Sequence, residues 1–559
     1  MTESDRMSTA ANPTPAKKPP KDSPRELVET IVFVVVLVLI LKLFVVEAFV
    51  IPTGSMAETL FGYHKTVQCD QCGYTFPVNA SEEEEGRKDN EGNVRRYPVI
   101  GYHCPNCDHE GRLKPNDAAS GDGKVVKSDE GDRVLVHKAM RIDHRGSVVV
   151  FKFPKDPQLD HVAQNYIKRL VGFGGETIAI YHGDLFVHKS LIYPTDSQLH
   201  PLPEDPKDLW DKRYTYTCAD TALKAFDSSK ALGFPEDGTG FELIRKPDDQ
   251  VLAMRRIVYH NDFQAKDLTK IPPRWKTSGE GWGAAEAGQK IYTHTGDGRG
   301  FLKYEHLRVK NSQRMRDFTE ATKPQRITNF MGYNAGSKGT GGPDGMANED
   351  ANDNWVGDLH VECNATIADP AASVILDLAR GPNRYQAHFA DGQVKLIRTG
   401  PGGKELSTRP TPMTKAGTYA LRFANVDCRL RVWVDGEAID FGGQSDYPYE
   451  LSEKPDKDDS TGEGWSKVND IDEPAAIEVR GGVTLANIVL WRDTFYTHTP
   501  GHKTLQPETF FVQPGHFLCF GDNSSQSHDG RGWGLVPERL MLGRAVFTFW
   551  PFRRIGFIR

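Results

Sequence analysis

Three groups of side chains in this 559-residue chain could do chemistry. Ser55 lies in the stretch Phe49 to Leu60, FVIPTGSMAETL, between Gly54 and Met56 and just after the one long apolar run. That setting puts a small hydroxyl on an extended segment at a membrane surface. A serine hydroxyl is inert until a base takes its proton, so alone it reads as an ordinary turn or strand residue. Lys168, in the strand-like stretch YIKRLV, offers a base. It adjoins Arg169, and neighbours in a strand point to opposite faces, so one of the two cations faces the core side. A lysine desolvated there loses affinity for its proton and can act as a general base, which arginine cannot; the alternative is a solvated edge-strand lysine. His528 beside Asp529 is the one imidazole that suggests a Ser-His hydrolase instead. The third group is Cys69-x-x-Cys72 and Cys104-x-x-Cys107, two knuckles about thirty residues apart. Four thiolates with no open coordination position form a structural zinc site, as in zinc ribbons, while an oxidising compartment would favour two disulfides. Cys218, Cys363, Cys428 and Cys519 lack paired spacing and read as buried free thiols.

The elements that must position these residues are mostly short strands. Arg133 to His137, Ser147 to Phe153, Tyr166 to Val171 and Glu176 to Tyr181 are rich in β-branched residues and punctuated by Gly and Asp, the pattern of an all-β core. Phe511 to Arg559 returns to that texture, with GDN as a turn after an apolar strand. Upstream, residues 1–24 are too poor in apolar side chains to order themselves. Leu27 to Val46 supplies the ~20 residues that a bilayer span needs, and no small-x-small cleavage site follows it. The expected anchor covers residues 25–47. Lys17, Lys18, Lys21 and Arg25 precede it, so the tail is expected in the cytoplasm and everything after the anchor outside. A net charge of −7 leaves no basic stripe for nucleic acid, which is not an expected partner.

Four segments in this order, IPTGSMAETL, GDRVLVHK with RGSVVVFKFP, YIKRLVGFGGET, and GDNSSQSHDGRGWGLVPERLMLGRAVFTFWP, resemble the motif boxes of type I signal peptidases, membrane-anchored Ser-Lys proteases that trim secretory precursors. The resemblance covers about 130 residues. It implies Ser55 as nucleophile, Lys168 as general base, and Thr53 with the Ser55 backbone N–H as the oxyanion hole. It also implies that Ser527, Asp529 and Arg531 orient the lysine and hold the loop. No catalytic cofactor is implied; structural zinc at the four cysteines is the expected metal. The chain departs from the family pattern at Glu58, Ser147, Gly174, Ser524 and Gly530, where proline, aspartate, proline, arginine and serine are usual. The implied substrates are secretory preproteins with small residues, typically Ala-x-Ala, before the cut. The bilayer and the secretion translocon are further expected partners, and the implied location is the cytoplasmic membrane, single-pass.

More than three hundred residues between Tyr181 and Tyr496 exceed what that pattern needs. From about Arg256 they read as short strands at the spacing of an antiparallel sandwich, and FANVDCRLRVWVDGEAI resembles strands of concanavalin- or laminin-G-like jelly rolls. The fold class is therefore mainly β. A protease core is expected in three separate segments, 48–66, 124–189 and 498–559. Between them come a zinc-ribbon-like insert at 67–123, an insert of unclear fold at 190–255 and the sandwich at 256–497. A sandwich whose end strands pair has adjacent termini, so it is expected to be removable from its host. Its roles are a spacer, protein-binding or carbohydrate-binding module, or a second enzyme, with its ligand open. A membrane-anchored binding protein on an inactive protease scaffold is the competing reading of the whole chain.

Overall fold

The computed structural model describes residues 24–88, 93–114, 123–154, 164–192, 233–235, 238–284, 286, 288–309, 323–336, 354–400, 402–449, 467–498 and 507–559. The expected cytoplasmic tail, Cys218 and most of the insert of unclear fold lie outside the described residues.

The fold is mainly β. One eight-stranded sheet carries the candidate site. Its order is Val46–Val50, Arg133–His137, Met541–Trp550, Val148–Lys152, Asn165–Phe173, His516–Phe520 and Val536–Pro537, with Gly556–Phe557 paired to Met541–Trp550. The strands read from alternating and β-branched residues form within a residue or two of their expected ends. Neighbours in this sheet come from opposite ends of the chain, so the early and late segments fold as one unit. A second sheet, Glu242–Leu243, Asp184–His188, Thr177–Tyr181 and Glu508–Phe511, packs beside it. Its apolar cluster of Ile178, Ile180 and Phe510 also takes in Val171 and Phe520 of the first sheet.

The inserted segment forms two seven-stranded antiparallel sheets over a shared core that includes Leu302, Val361, Leu376, Tyr385, Phe389, Phe423 and Ile477. Its first strand, Arg256–His260, pairs with its last, Val483–Arg492, in a register that sets Arg256 opposite Arg492. The ends are thus adjacent, yet they are not detached from the host. Met254 and Tyr496, which flank the sandwich, are buried in the protease cluster with Ile178 and Phe520.

The helix at the start of the described chain differs from expectation. It runs Pro24–Ile40, 17 residues, followed by a wider π-helical turn, Leu41–Val45. Val46 is already in an edge strand, which pairs with Arg133–His137. At 1.5 Å per residue the 17-residue helix is about 26 Å long, short of the ~30 Å hydrocarbon core. Among the described residues no helix is long and apolar enough to cross a membrane. Apolarity does not distinguish helix from strand, so the run Leu27 to Val46 reads as continuous helix in the sequence; pairing with Arg133–His137 decides where the helix stops.

Candidate active site

Ser55 sits on a short 3-10 turn, Gly54–Met56, whose preceding residue Thr53 is extended. Two neighbours hold this turn. A Cβ on Gly54 would stand 2.3 Å from the Tyr333 hydroxyl oxygen, so only glycine lets the turn lie against that ring. Asn523 clasps the turn from the other side. Its backbone N–H donates to Ser55 O at 3.1 Å and its side-chain amide to Gly54 O at 3.0 Å.

Lys168 is on the strand Asn165–Phe173, opposite Val149, and is 3% exposed. Its Nζ donates to Ser55 Oγ at 2.5 Å, across 113 residues of sequence. Its face of the strand also carries Tyr166 and Leu170, which pack with Val149, Phe151, Cys519 and Trp533. Burial there pushes the ammonium down to about 8, against the opposing pull of the Asp529 carboxylate. Lys168 is thus buried against Ser55, and the solvated-lysine alternative does not hold.

Arg169 is buried too, at 2% exposure. The strand is internal to its sheet with both faces covered, so both adjacent cations face packed interior. Arg169 resolves its charge by a two-pronged pair with Asp522, Nε to Oδ1 at 2.7 Å and Nη2 to Oδ2 at 2.6 Å. The GDN turn is thereby fixed to the strand that carries Lys168.

Asp529 is buried and accepts from Gly521 N at 2.9 Å and from Arg531 Nε and Nη2 at 2.9 and 2.8 Å. Burial raises its carboxyl, but the Arg531 guanidinium outweighs this and holds it below the usual range. Arg531 also donates to Ser524 Oγ at 2.7 Å and to Thr497 O at 2.6 Å. The serine at 524, where the family pattern has arginine, is thus a partner of Arg531. At position 530 a Cβ would stand 2.9 Å from Cys519 O, which accounts for glycine there. With Asp529 committed to Arg531 and Gly521, it is not oriented on an imidazole, and His528 is exposed.

Two implied roles are not made in this geometry. Among the described residues Ser527 Oγ is buried without a hydrogen-bond partner, so it does not bond the lysine amine. It does approach the site: a Cβ on Gly521 would meet Ser527 Oγ at 2.1 Å and Ser55 O at 2.4 Å. Thr53 is exposed and makes no capping hydrogen bond through its side chain.

The four knuckle cysteines converge. Their sulfurs all lie within 4.8 Å of one another, with Cys69 to Cys107 and Cys72 to Cys104 each at 3.6 Å. All four are buried free thiols. Four sulfurs at ~2.3 Å from a shared zinc ion would stand just under 4 Å apart, so the set fits a structural metal.

Sequence reasoning misses Asn523, the Arg169–Asp522 pair and every contact from the sandwich. GDN is legible only as a turn, and nothing in its letters tells which backbone it will hold.

A family model described as "Signal peptidase, peptidase S26" matches residues 124–229 and 431–550. Signal peptidase I of Leptolyngbya laminosa is 36% identical over 80 residues, 14% of this chain and 38% of the relative. Thylakoidal processing peptidase 1, chloroplastic, of Arabidopsis thaliana is 30% identical over 80 residues, 14% of this chain and 23% of that protein. Mitochondrial inner membrane protease subunit 1 of Mus musculus is 43% identical over 49 residues, 9% and 30% respectively. The matches to these relatives thus span well under half of each relative's length. Among solved structures, the carbohydrate binding module CBM66 from Bacillus subtilis aligns over 39% of this chain and 94% of its own at 12% identity and a TM-score of 0.21. A galectin of Caenorhabditis elegans aligns over 24% and 83% at 15% identity and a TM-score of 0.17. Together the family match and the curated relatives support a serine peptidase of the signal peptidase family.

Proposed function

We propose that this chain is a membrane-anchored serine endopeptidase that removes signal peptides from secretory precursors by a Ser55–Lys168 pair. The observation that carries this reading is the 2.5 Å contact between Ser55 Oγ and a lysine Nζ whose burial leaves it readily deprotonated. Neutral Lys168 takes the Ser55 proton as Oγ attacks the scissile carbonyl, then returns it to the leaving amine. In the second half it activates the water that releases the acyl group from Ser55. The developing oxyanion is met by the Ser55 N–H and the Thr53 hydroxyl, which swings in when substrate is bound. Ser527 gains its missing partner when the lysine amine shifts during proton transfer, and Asp529 with Arg531 keeps the loop in place.

The helix Pro24–Ile40, continued by Leu41–Val45, is the anchor in this proposal, with the catalytic sheet on the outer face. The apolar side chains of Pro24–Ile40 are all exposed in the isolated chain, and Trp550, Phe552, Ile555 and Phe557 add a second exposed apolar group. Preproteins with small residues before the cut are the substrates and the translocon is a neighbour. The knuckle cysteines hold structural zinc, and the sandwich is a jelly-roll module.

The test is cleavage of a secretory precursor by detergent-solubilised protein. Wild type is expected to cut, and both Ser55→Ala and Lys168→Arg to be inactive. A wild-type protein that fails to cut any such precursor would instead mark an inactive scaffold that displays its sandwich.

A further inference from the structure

The segment that leaves the sandwich near residue 329 returns to the protease and ends against the nucleophile turn. Met331 and Tyr333 are buried in one cluster with Ala57 and Phe61, and the Tyr333 ring stacks on Phe61 at 5.6 Å between centroids. Asn334 then faces Asn523. The two side-chain amides bond reciprocally: Asn334 Nδ2 donates to Asn523 Oδ1 at 2.6 Å, and Asn523 Nδ2 donates to Asn334 Oδ1 at 2.8 Å. Asn334 Nδ2 also reaches Ser525 Oγ at 3.3 Å.

The orientation of this pair is dictated by chemistry. Gly54 O can only accept, so Asn523 must present its NH2 to it, and its carbonyl oxygen must turn toward Asn334. A partner at 334 that supplies both an N–H and a C=O satisfies Asn523 completely. One that does not leaves a buried amide free to rotate away from the Ser55 turn. A second strut from the sandwich, Arg256 Nη2, donates to Ala57 O at 3.1 Å on the far side of the same turn.

We propose that Asn334 is a positioning residue for Ser55, acting through Asn523, so that the sandwich insert supplies some of the scaffold that aims the nucleophile. The proposal rests on the serine-protease reading of Ser55. A nucleophile displaced by even about 1 Å can lose on the order of 10²-fold in rate, and Asn334 has no part in holding substrate in this proposal, so KM is expected to stay as it is. The signature is a loss in kcat without a change in KM.

The experiment compares full-length wild type, Ser55→Ala, Asn334→Ala, Asn334→Asp, Asn523→Ala and the Asn334→Ala/Asn523→Ala double variant on one precursor peptide, with thermal melting of each. Asn334→Ala is expected to lose about tenfold or more in kcat, KM staying within about twofold. Asn334→Asp keeps the acceptor and loses the donor, so it should fall between, and it carries the test if the alanine variant does not fold. The double variant should be no slower than Asn523→Ala alone, because one residue works through the other. Wild-type kcat in folded Asn334→Ala and Asn334→Asp, or losses that multiply in the double variant, would overturn the proposal. A wild type that does not cut, or a Ser55→Ala that cuts equally well, instead removes the protease reading on which it stands.

Discussion

Arg169 and Asp522 lie 353 residues apart in sequence and form a fully buried, two-pronged ion pair directly beside the Ser55–Lys168 contact. Its guanidinium is adjacent in sequence to the proposed base, and its carboxylate precedes the asparagine that clasps the nucleophile turn. The pair therefore ties the strand that carries Lys168 to the turn that clasps Ser55. Losing one partner of such a pair leaves a lone buried charge, at a cost of about 3–5 kcal/mol, more than the pair itself contributes. Asp522→Asn and Arg169→Met should each lower the melting temperature severely. The double variant Arg169→Met/Asp522→Leu should recover much of that stability in thermal melts without recovering activity.

In the proposed Ser55–Lys168 mechanism, Lys168 sets the pH dependence of cleavage. With its ammonium at about 8, roughly a tenth of the chains carry the neutral amine at pH 7. Cleavage at limiting substrate should rise with pH through about 8 and then level off. Lys168→Arg should be as inactive as Ser55→Ala, and His528→Ala should keep most of its activity. A near-normal rate for Lys168→Arg would remove lysine from the mechanism.

The same burial has a stability cost of opposite use. The unfolded chain holds the Lys168 proton up to ~10.4 and the folded one releases it near 8. Folding is therefore penalised fully below about 8, and the penalty is relieved as pH climbs toward 10. It amounts to roughly 3 kcal/mol at neutral pH. Lys168→Met should be inactive but melt higher than wild type at pH 7, with the gap narrowing by pH 10 in melts across that range.

Replacing residues 190–495 by a short Gly/Ser linker is attractive from the adjacent ends of the sandwich. The contacts argue against a working product. Deletion removes Arg256 from Ala57 O, Tyr333 from Phe61 and Asn334 from Asn523. The truncated protein should show lowered thermal stability and little cleavage, measured beside full-length protein.

The cysteine cluster should hold about one zinc ion per chain by elemental analysis, and Cys104→Ser should lose it. A site with no open coordination position takes no direct part in the Ser55 chemistry. The structure places Pro105, within the knuckle, against Gly332, where an added Cβ would be 2.6 Å from the proline ring. Gly332 begins the turn that carries Tyr333 and Asn334, so Cys104→Ser should also depress kcat. Metal-free wild type with full activity would contradict this.

The proposed nucleophile and base are legible in the sequence because each breaks a local pattern: a Gly-Ser-Met turn after an apolar run, and a lysine beside an arginine inside a largely apolar strand. The knuckles are legible from spacing. Their convergence to mutual distances under 4.8 Å needs only two tight turns facing each other. Arg169 is half legible. Alternation says that it opposes Lys168, but not that the opposite face is packed as well. Asn334 is not legible at all, since Gly-Tyr-Asn-Ala is an ordinary turn until it meets Asn523 189 residues further on. The end of the helix at Ile40 is hidden for a related reason, because the residues after it are equally apolar and only strand pairing separates them.

The helix passes into the catalytic sheet without a loop. Val46 follows the π-helical turn directly, and Lys138 braces the joint by donating from its backbone to Val45 O at 2.8 Å and from its side chain to Glu47 at 2.7 Å. A flexible tether would let the protease wander over the bilayer; this joint makes helix and sheet one lever. With the helix in the membrane, as in the proposal above, the height of Ser55 above the lipid is then fixed by the sheet and not by a tether. The enzyme would therefore select cleavage sites by their distance from the end of a precursor's own apolar segment as well as by the residues at the cut.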